Sequence, residues 1–167
     1  MQDLIQALED SGIATWVRES PSIFAYTTVL SLHAMGLAIV VGVSVVIALR
    51  ALGVLRDVPV PSVLKLYPLM YLGFTVNAIS GLMLFAANAS GMLTNSAFLV
   101  KMGFIVAAMI AMELLRSRAA AAEAAVDGVP AGGTRAIGIS ALVLWGAAII
   151  AGRLTAYPNF VSSLLGL

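Results

Sequence analysis

The chain has 167 residues, of which 61% are hydrophobic and 10% charged, with nine basic and eight acidic side chains and no cysteine. A soluble domain carries about a quarter charged residues, so these charges are too few to clothe a water-facing globule, and the mean hydropathy of +1.04 points to lipid as the solvent for much of the surface. The near-neutral balance argues against a nucleic-acid partner, and the lack of cysteine excludes disulfides, thiolate metal sites and cysteine nucleophiles.

In chain order, the first segment, MQDLIQALEDSG, is acidic where a signal peptide needs basic residues. The pattern predicts a short amphipathic interfacial helix over 3–18, with Leu4, Ile5 and Leu8 as its apolar edge and Trp16 in the headgroup layer. Four apolar stretches follow. The first, 22–49, is introduced by Pro21; the second, 66–89, comes after Pro59 and Pro61; the third is 97–115; the fourth, 136–157, is stopped by Pro158. Each has about 20 residues or more, enough to cross roughly 30 Å of hydrocarbon at 1.5 Å per residue. In lipid the backbone must satisfy itself, so these stretches read as helices. The fold class is therefore all-α: a four-helix transmembrane bundle with an N-terminal amphipathic helix, a single integral membrane domain over 1–167. Between the third and fourth spans, 117–133 reads as an alanine-rich helical extension ending in a Gly/Pro turn.

The basic residues orient the bundle. Arg50, Arg56, Lys65, Arg116, Arg118 and Arg135 lie on the connecting-loop side, against Arg18, Lys101 and Arg153 on the other. Six against three predicts that both connecting loops are cytoplasmic and both termini lie on the outer side, the periplasmic one if the membrane is a bacterial inner membrane.

Polar residues inside the spans are the informative ones, because lipid makes them costly. At about 100° per residue, Glu19, Ser22, Tyr26, His33 and Ser44 fall within about 40° of one line, a stripe expected to face the bundle interior. Met70, Gly73, Asn77, Gly81 and Asn88 share a face of the second span. Gly103, Ala107 and Ala111 form a small face on the third, and Gly138, Trp145 and Gly152 repeat at heptad spacing on the fourth. Counting inward from the outer ends, His33, Asn77, Met109 and Trp145 fall about 18 to 20 Å deep. Glu19, Tyr26, Asn88, Lys101 and Arg153 form a shallower layer, an outer polar mouth with Glu19 as counter-ion to the two cations.

His33 is the only histidine. It is a candidate ligand for haem b, with Met109, a second protomer's histidine or nothing as the second ligand, the glycines giving room and Trp145 and Tyr26 packing nearby. It also reads as a helix lock bonded to Asn77 or Tyr26, or as a metal or proton site. The eight methionines raise Cu(I) handling, although only Met109 and Met112 stand close together. Lys101 and Arg153 suit an anionic or quinone-like ligand, or else snorkel to headgroups. Glu113 and Arg116 read as an exposed ion pair one turn apart. No nucleophile–base pair or phosphate loop is present, which speaks against classical enzyme chemistry.

The segments SLHAMGLAIVVGVSVVIALRALG, NSAFLVK and LWGAAIIAGRLTAY resemble a family of small four-helix bacterial inner-membrane proteins with no assigned activity, over residues 19–157. The first span is also similar to the histidine-bearing helix of CopD-type copper-resistance membrane proteins and, more distantly, to b-type membrane cytochromes, which usually carry more histidines. The resemblance implies the four-helix fold; the leading functional expectation is a small membrane subunit of a redox assembly with His33 as candidate haem b ligand, the alternatives being a cofactor-free structural or assembly subunit and copper handling. Its partners would be membrane lipid and either further copies of the chain or other membrane or periplasmic subunits.

Overall fold

The computed structural model describes residues 2–124 and 133–157; the expected Gly/Pro turn and the apolar tail after Tyr157 lie outside them. Every regular element in the described chain is helical. Four helices are long and apolar enough to cross a membrane, so the fold is that of a multi-pass, all-α bundle.

The N-terminal segment forms two helices where one was expected, α1 (Gln2–Glu9) and α2 (Gly12–Glu19). The break has a local cause. Ser11 adopts an extended conformation and its Oγ accepts from the Ala14 amide, so it starts a new helix instead of continuing the old one. Ala14 and Val17 are buried, while Leu4, Leu8, Ile13 and Trp16 stay exposed. The apolar edge thus remains available to lipid.

The first span, α3 (Ile23–Leu52), is capped at its start by Ser22 and closed by Gly53, whose φ of 83° lets its amide and that of Val54 reach back to Arg50 and Leu49. A short α4 (Val60–Leu64) leads into α5 (Tyr67–Ala86), and a short α6 (Ala89–Leu93) follows. Next comes α7 (Ser96–Ala124), then α8 (Thr134–Leu154). The helical extension expected beyond the third span is therefore present up to Ala124. At the start of α7, the Asn95 carboxamide accepts from the Ala97 amide and donates to the Thr155 carbonyl, tying the beginning of α7 to the end of α8.

The bundle consists of two closely packed pairs, α3 with α5 and α7 with α8, joined where α3 meets α8. At the α3–α5 crossing the main chains touch. A Cβ on Gly36 would stand 2.5 Å from the Asn77 amide nitrogen, and one on Gly73 would stand 2.8 Å from that of Val40. By contrast α5 and α7 meet through side chains. Tyr67 is buried and donates to the Met112 carbonyl at 3.0 Å. The Phe85 and Phe98 rings stack at 5.6 Å.

At the end of the bundle bearing the termini, α1 docks on α6. Glu9 Oε1 accepts from both the amide and the hydroxyl of Ser90, at 2.7 and 2.8 Å. Those bonds, led by the backbone one, hold the Glu9 carboxyl below its ordinary value of 4.5.

Two expectations follow. Gly36→Ala should destabilise the bundle by about 1–3 kcal/mol, because its methyl meets main chain that cannot rotate away. Gly42→Ala, where nothing stands within 4 Å, should be neutral or stabilising, and unfolding in detergent separates the two. Glu9 has a lowered folded-state pKa, so its contribution is present above the unfolded value and is lost as pH falls through the lower folded one. Trp16 fluorescence should report release of α1 and α2 with a midpoint below 4.5, moving upward in Ser90→Ala.

Candidate functional site

Polar side chains on adjoining faces of α3 and α5 meet where the glycines bring the two helices together. His33 Nδ1 lies 2.9 Å from the Asn77 carbonyl oxygen. A carbonyl only accepts, so the proton sits on Nδ1 and the ring donates. In return, Asn77 Nδ2 donates to the His33 carbonyl at 2.8 Å. Ser80 completes the corner: its hydroxyl donates to the Val76 carbonyl at 2.6 Å and stands 3.3 Å from Nδ1. Asn77 and Ser80 are buried and His33 is half-buried. The imidazole lies over Gly81, where a Cβ would come within 3.0 Å of Cε1. Nε2 has no hydrogen-bond partner among the described residues.

The structure unites some of the sequence-derived residues and separates others. His33 and Asn77 come together. Trp145 and Met109 instead pack in the hydrophobic cluster with Tyr67, Met70 and Met112. The helix register explains the separation. Gly138 rests on Ala48 and Ala51, so Trp145, seven residues along α8, falls level with the stretch near Val41. That is about 12 Å along α3 from His33. The Trp145 indole N–H is buried without a hydrogen-bond partner among the described residues. Ser44, fully buried in α3, returns its hydroxyl to the Val40 carbonyl.

The interior stripe expected on the first span holds only in part. Tyr26, two turns before His33 on the same face of α3, is 53% exposed, while the buried line of the helix runs through Ala25, Val29, Gly36 and Val40. Glu19 belongs to α2, not α3, and pairs with its neighbour Arg18 at 2.9 Å. It is therefore not the counter-ion of the outer cations. Asn88 is exposed beyond the end of α5, beside Gly91, and Arg153 is exposed. Lys101 lays its stem along Gly152 and makes no hydrogen bond or ion pair among the described residues. The outer polar mouth is thus not assembled as one cluster. Gly103, expected at a helix contact, faces open space.

A grouping that residue spacing did not reveal lies at the opposite end. Tyr71 donates to Glu113 Oε2, Arg116 reaches both, and its guanidinium sits 5.8 Å above the Tyr67 ring and 5.9 Å above Tyr71. The ion pair read from the sequence is real, at 3.4 Å, but it serves to bind α7 to α5. Tyrosines at the start of the second span were the available signal.

As a haem site within one chain, this arrangement lacks two things. Met109 lies in the separate core cluster, and Gly36 and Gly73 are filled by the opposing main chain, so they leave no slot for a porphyrin at the crossing. The methionines are dispersed as well: Met70 and Met112 are core residues, while Met35 and Met102 face outward. Among the described residues no three His, Asp or Glu side chains gather as metal ligands.

Fold and site together define a multi-pass helical membrane protein with a histidine-containing polar clamp between its first two spans. Comparison with protein-family models, with curated proteins and with solved structures finds no match.

Each side chain of the clamp bonds to the other's main chain. Replacing either His33 or Asn77 by Ala should cost about 1 kcal/mol, and the double variant should cost close to the sum, with a coupling below roughly 0.5 kcal/mol. A larger coupling in detergent unfolding would mean that the two side chains bind each other directly.

Proposed function

We propose that the chain is a structural or assembly subunit of a bacterial inner-membrane complex, with periplasmic termini, in which His33 clamps helices and carries no redox cofactor. The observation that carries this reading is the reciprocal bonding of His33 and Asn77 to each other's carbonyl across a glycine crossing. Both polar side chains are occupied in holding α3 to α5. In lipid, where apolar burial supplies little drive between helices, close packing and such bonds are the forces available.

The surface supports assembly with other spans. Gly42, Gly103 and Gly146, on three different helices, have no atom within 4 Å of where a Cβ would stand. In lipid, notches of this kind let a further helix approach closely. Second copies of the chain or other membrane subunits are the partners that would fill them. The excess of basic residues on the loop side supports the orientation.

The free Nε2 of His33 is what favours the competing reading, a subunit of a redox assembly with haem b held between protomers. One preparation separates the two. The protein is expressed with haem supplied, extracted in mild detergent, and measured by absorption spectroscopy and native mass spectrometry. The expected result is a complex containing more than one chain or another membrane subunit, no Soret band, and reduced yield of that complex in His33→Ala. A Soret band that disappears in His33→Ala would replace the clamp by a haem ligand; a stable lone monomer would end the assembly reading.

A further inference from the structure

We infer that the loop-bearing end of the bundle holds the phosphate of an anionic phospholipid between Arg56 and Arg135. Gly53 closes α3 with a φ of 83°, a conformation that keeps a side chain off this corner. Two guanidinium groups converge on the space left there. Measured from the position a Gly53 Cβ would take, Arg56 Nε is at 3.3 Å, Arg56 Nη2 at 3.7 Å and Arg135 Nη2 at 3.9 Å. One arginine comes from the α3–α4 connection and the other from the first turn of α8, so the site joins two spans.

Among the described residues nothing acidic pairs with either guanidinium. The ion pairs among the described residues are Arg18–Glu19 and Glu113–Arg116, both elsewhere, and the neighbouring Asp57 joins neither guanidinium. Arg56 is oriented by its Nε donating to the Gly53 carbonyl at 2.8 Å, and its terminal nitrogens make no hydrogen bond among the described residues. The loop that carries it is pinned by Arg50, whose Nε donates to the Val58 carbonyl at 2.6 Å. Two like charges that both reach the same corner favour an anion there, and forked guanidinium donors match phosphate oxygens.

The helix below the site favours a lipid over a free ion. Ile139 and Val143 stand four and eight residues after Arg135, on the same face of α8, and are 53% and 63% exposed. A phosphate at Arg135 therefore has an apolar track running into the bilayer directly beneath it, as an acyl chain requires. Basic pockets between spans at the membrane surface bind anionic headgroups in this way.

The test uses the full chain in detergent, titrated with phosphatidylglycerol, phosphatidylcholine or inorganic phosphate and followed by native mass spectrometry and thermal unfolding. Wild type should retain phosphatidylglycerol in preference to phosphatidylcholine. Each arginine is expected to contribute about fivefold, so R56Q/R135Q should weaken phosphatidylglycerol binding about thirtyfold. Arg135 makes no hydrogen bond among the described residues, so R135Q alone should bind about fivefold more weakly while unfolding as wild type does without lipid. Equal binding of the two lipids, or unchanged phosphatidylglycerol binding in R56Q/R135Q, would overturn the assignment. Inorganic phosphate binding as tightly as the lipid would overturn it too, by making a dissolved ion the ligand.

Discussion

The bundle depends on the approach of α3 to α5 at Gly36 and Gly73, where Gly36 meets the main chain of Gly73 and Asn77 and Gly73 meets Ile39 and the Val40 amide. Lipid surrounds the spans, so no water is displaced to drive helices together, and contact must come from shape and from polar groups bonded within the protein. The glycines satisfy the first need. Their closeness satisfies the second, because it brings the His33 and Asn77 side chains within reach of carbonyls already committed to helical bonds. Such carbonyls keep a spare lone pair, so they accept these additional donors without disturbing either helix.

Away from that crossing, the means of attachment change with distance between the helices. Where α5 and α7 stand further apart, long side chains span the gap: the buried Tyr67 reaches main chain, and Arg116 covers two tyrosine rings while meeting Glu113. At the other end, Glu9 and Asn95 use carboxylate and amide groups to tie α1 to α6 and α7 to α8. Between these ends lies the hydrophobic cluster, in which the Trp145 N–H has no hydrogen-bond partner among the described residues.

Hydropathy made the four spans legible, since runs of about 20 apolar residues in a charge-poor chain have few other solutions. The observed ends differ by a few residues: α3 continues to Leu52, and α7 begins at Ser96 and runs past Leu115 to Ala124. Within the site, the pairing of His33 with Asn77 was readable, because both are polar residues on faces lined with glycine. Depth was not. Counting residues from helix ends placed Trp145 level with His33, whereas register is set by which residues interlock, and Gly138 against Ala48 shifts α8 along α3. Tyr26 illustrates a second limit. Angular position on an ideal helix does not reveal where a neighbouring helix ends, and near the start of α3 that side is open. The split between α1 and α2 rested on a single serine cap inside an otherwise continuous amphipathic pattern.

The way His33 and Asn77 address each other's carbonyls has an evolutionary consequence. Because every residue type supplies a carbonyl, either position can change in a lineage without requiring a compensating exchange at the other. Paired covariation is therefore not the signature this contact leaves. Homologues should instead hold fast to the two small residues that set the helices' spacing, while the polar partners drift one at a time.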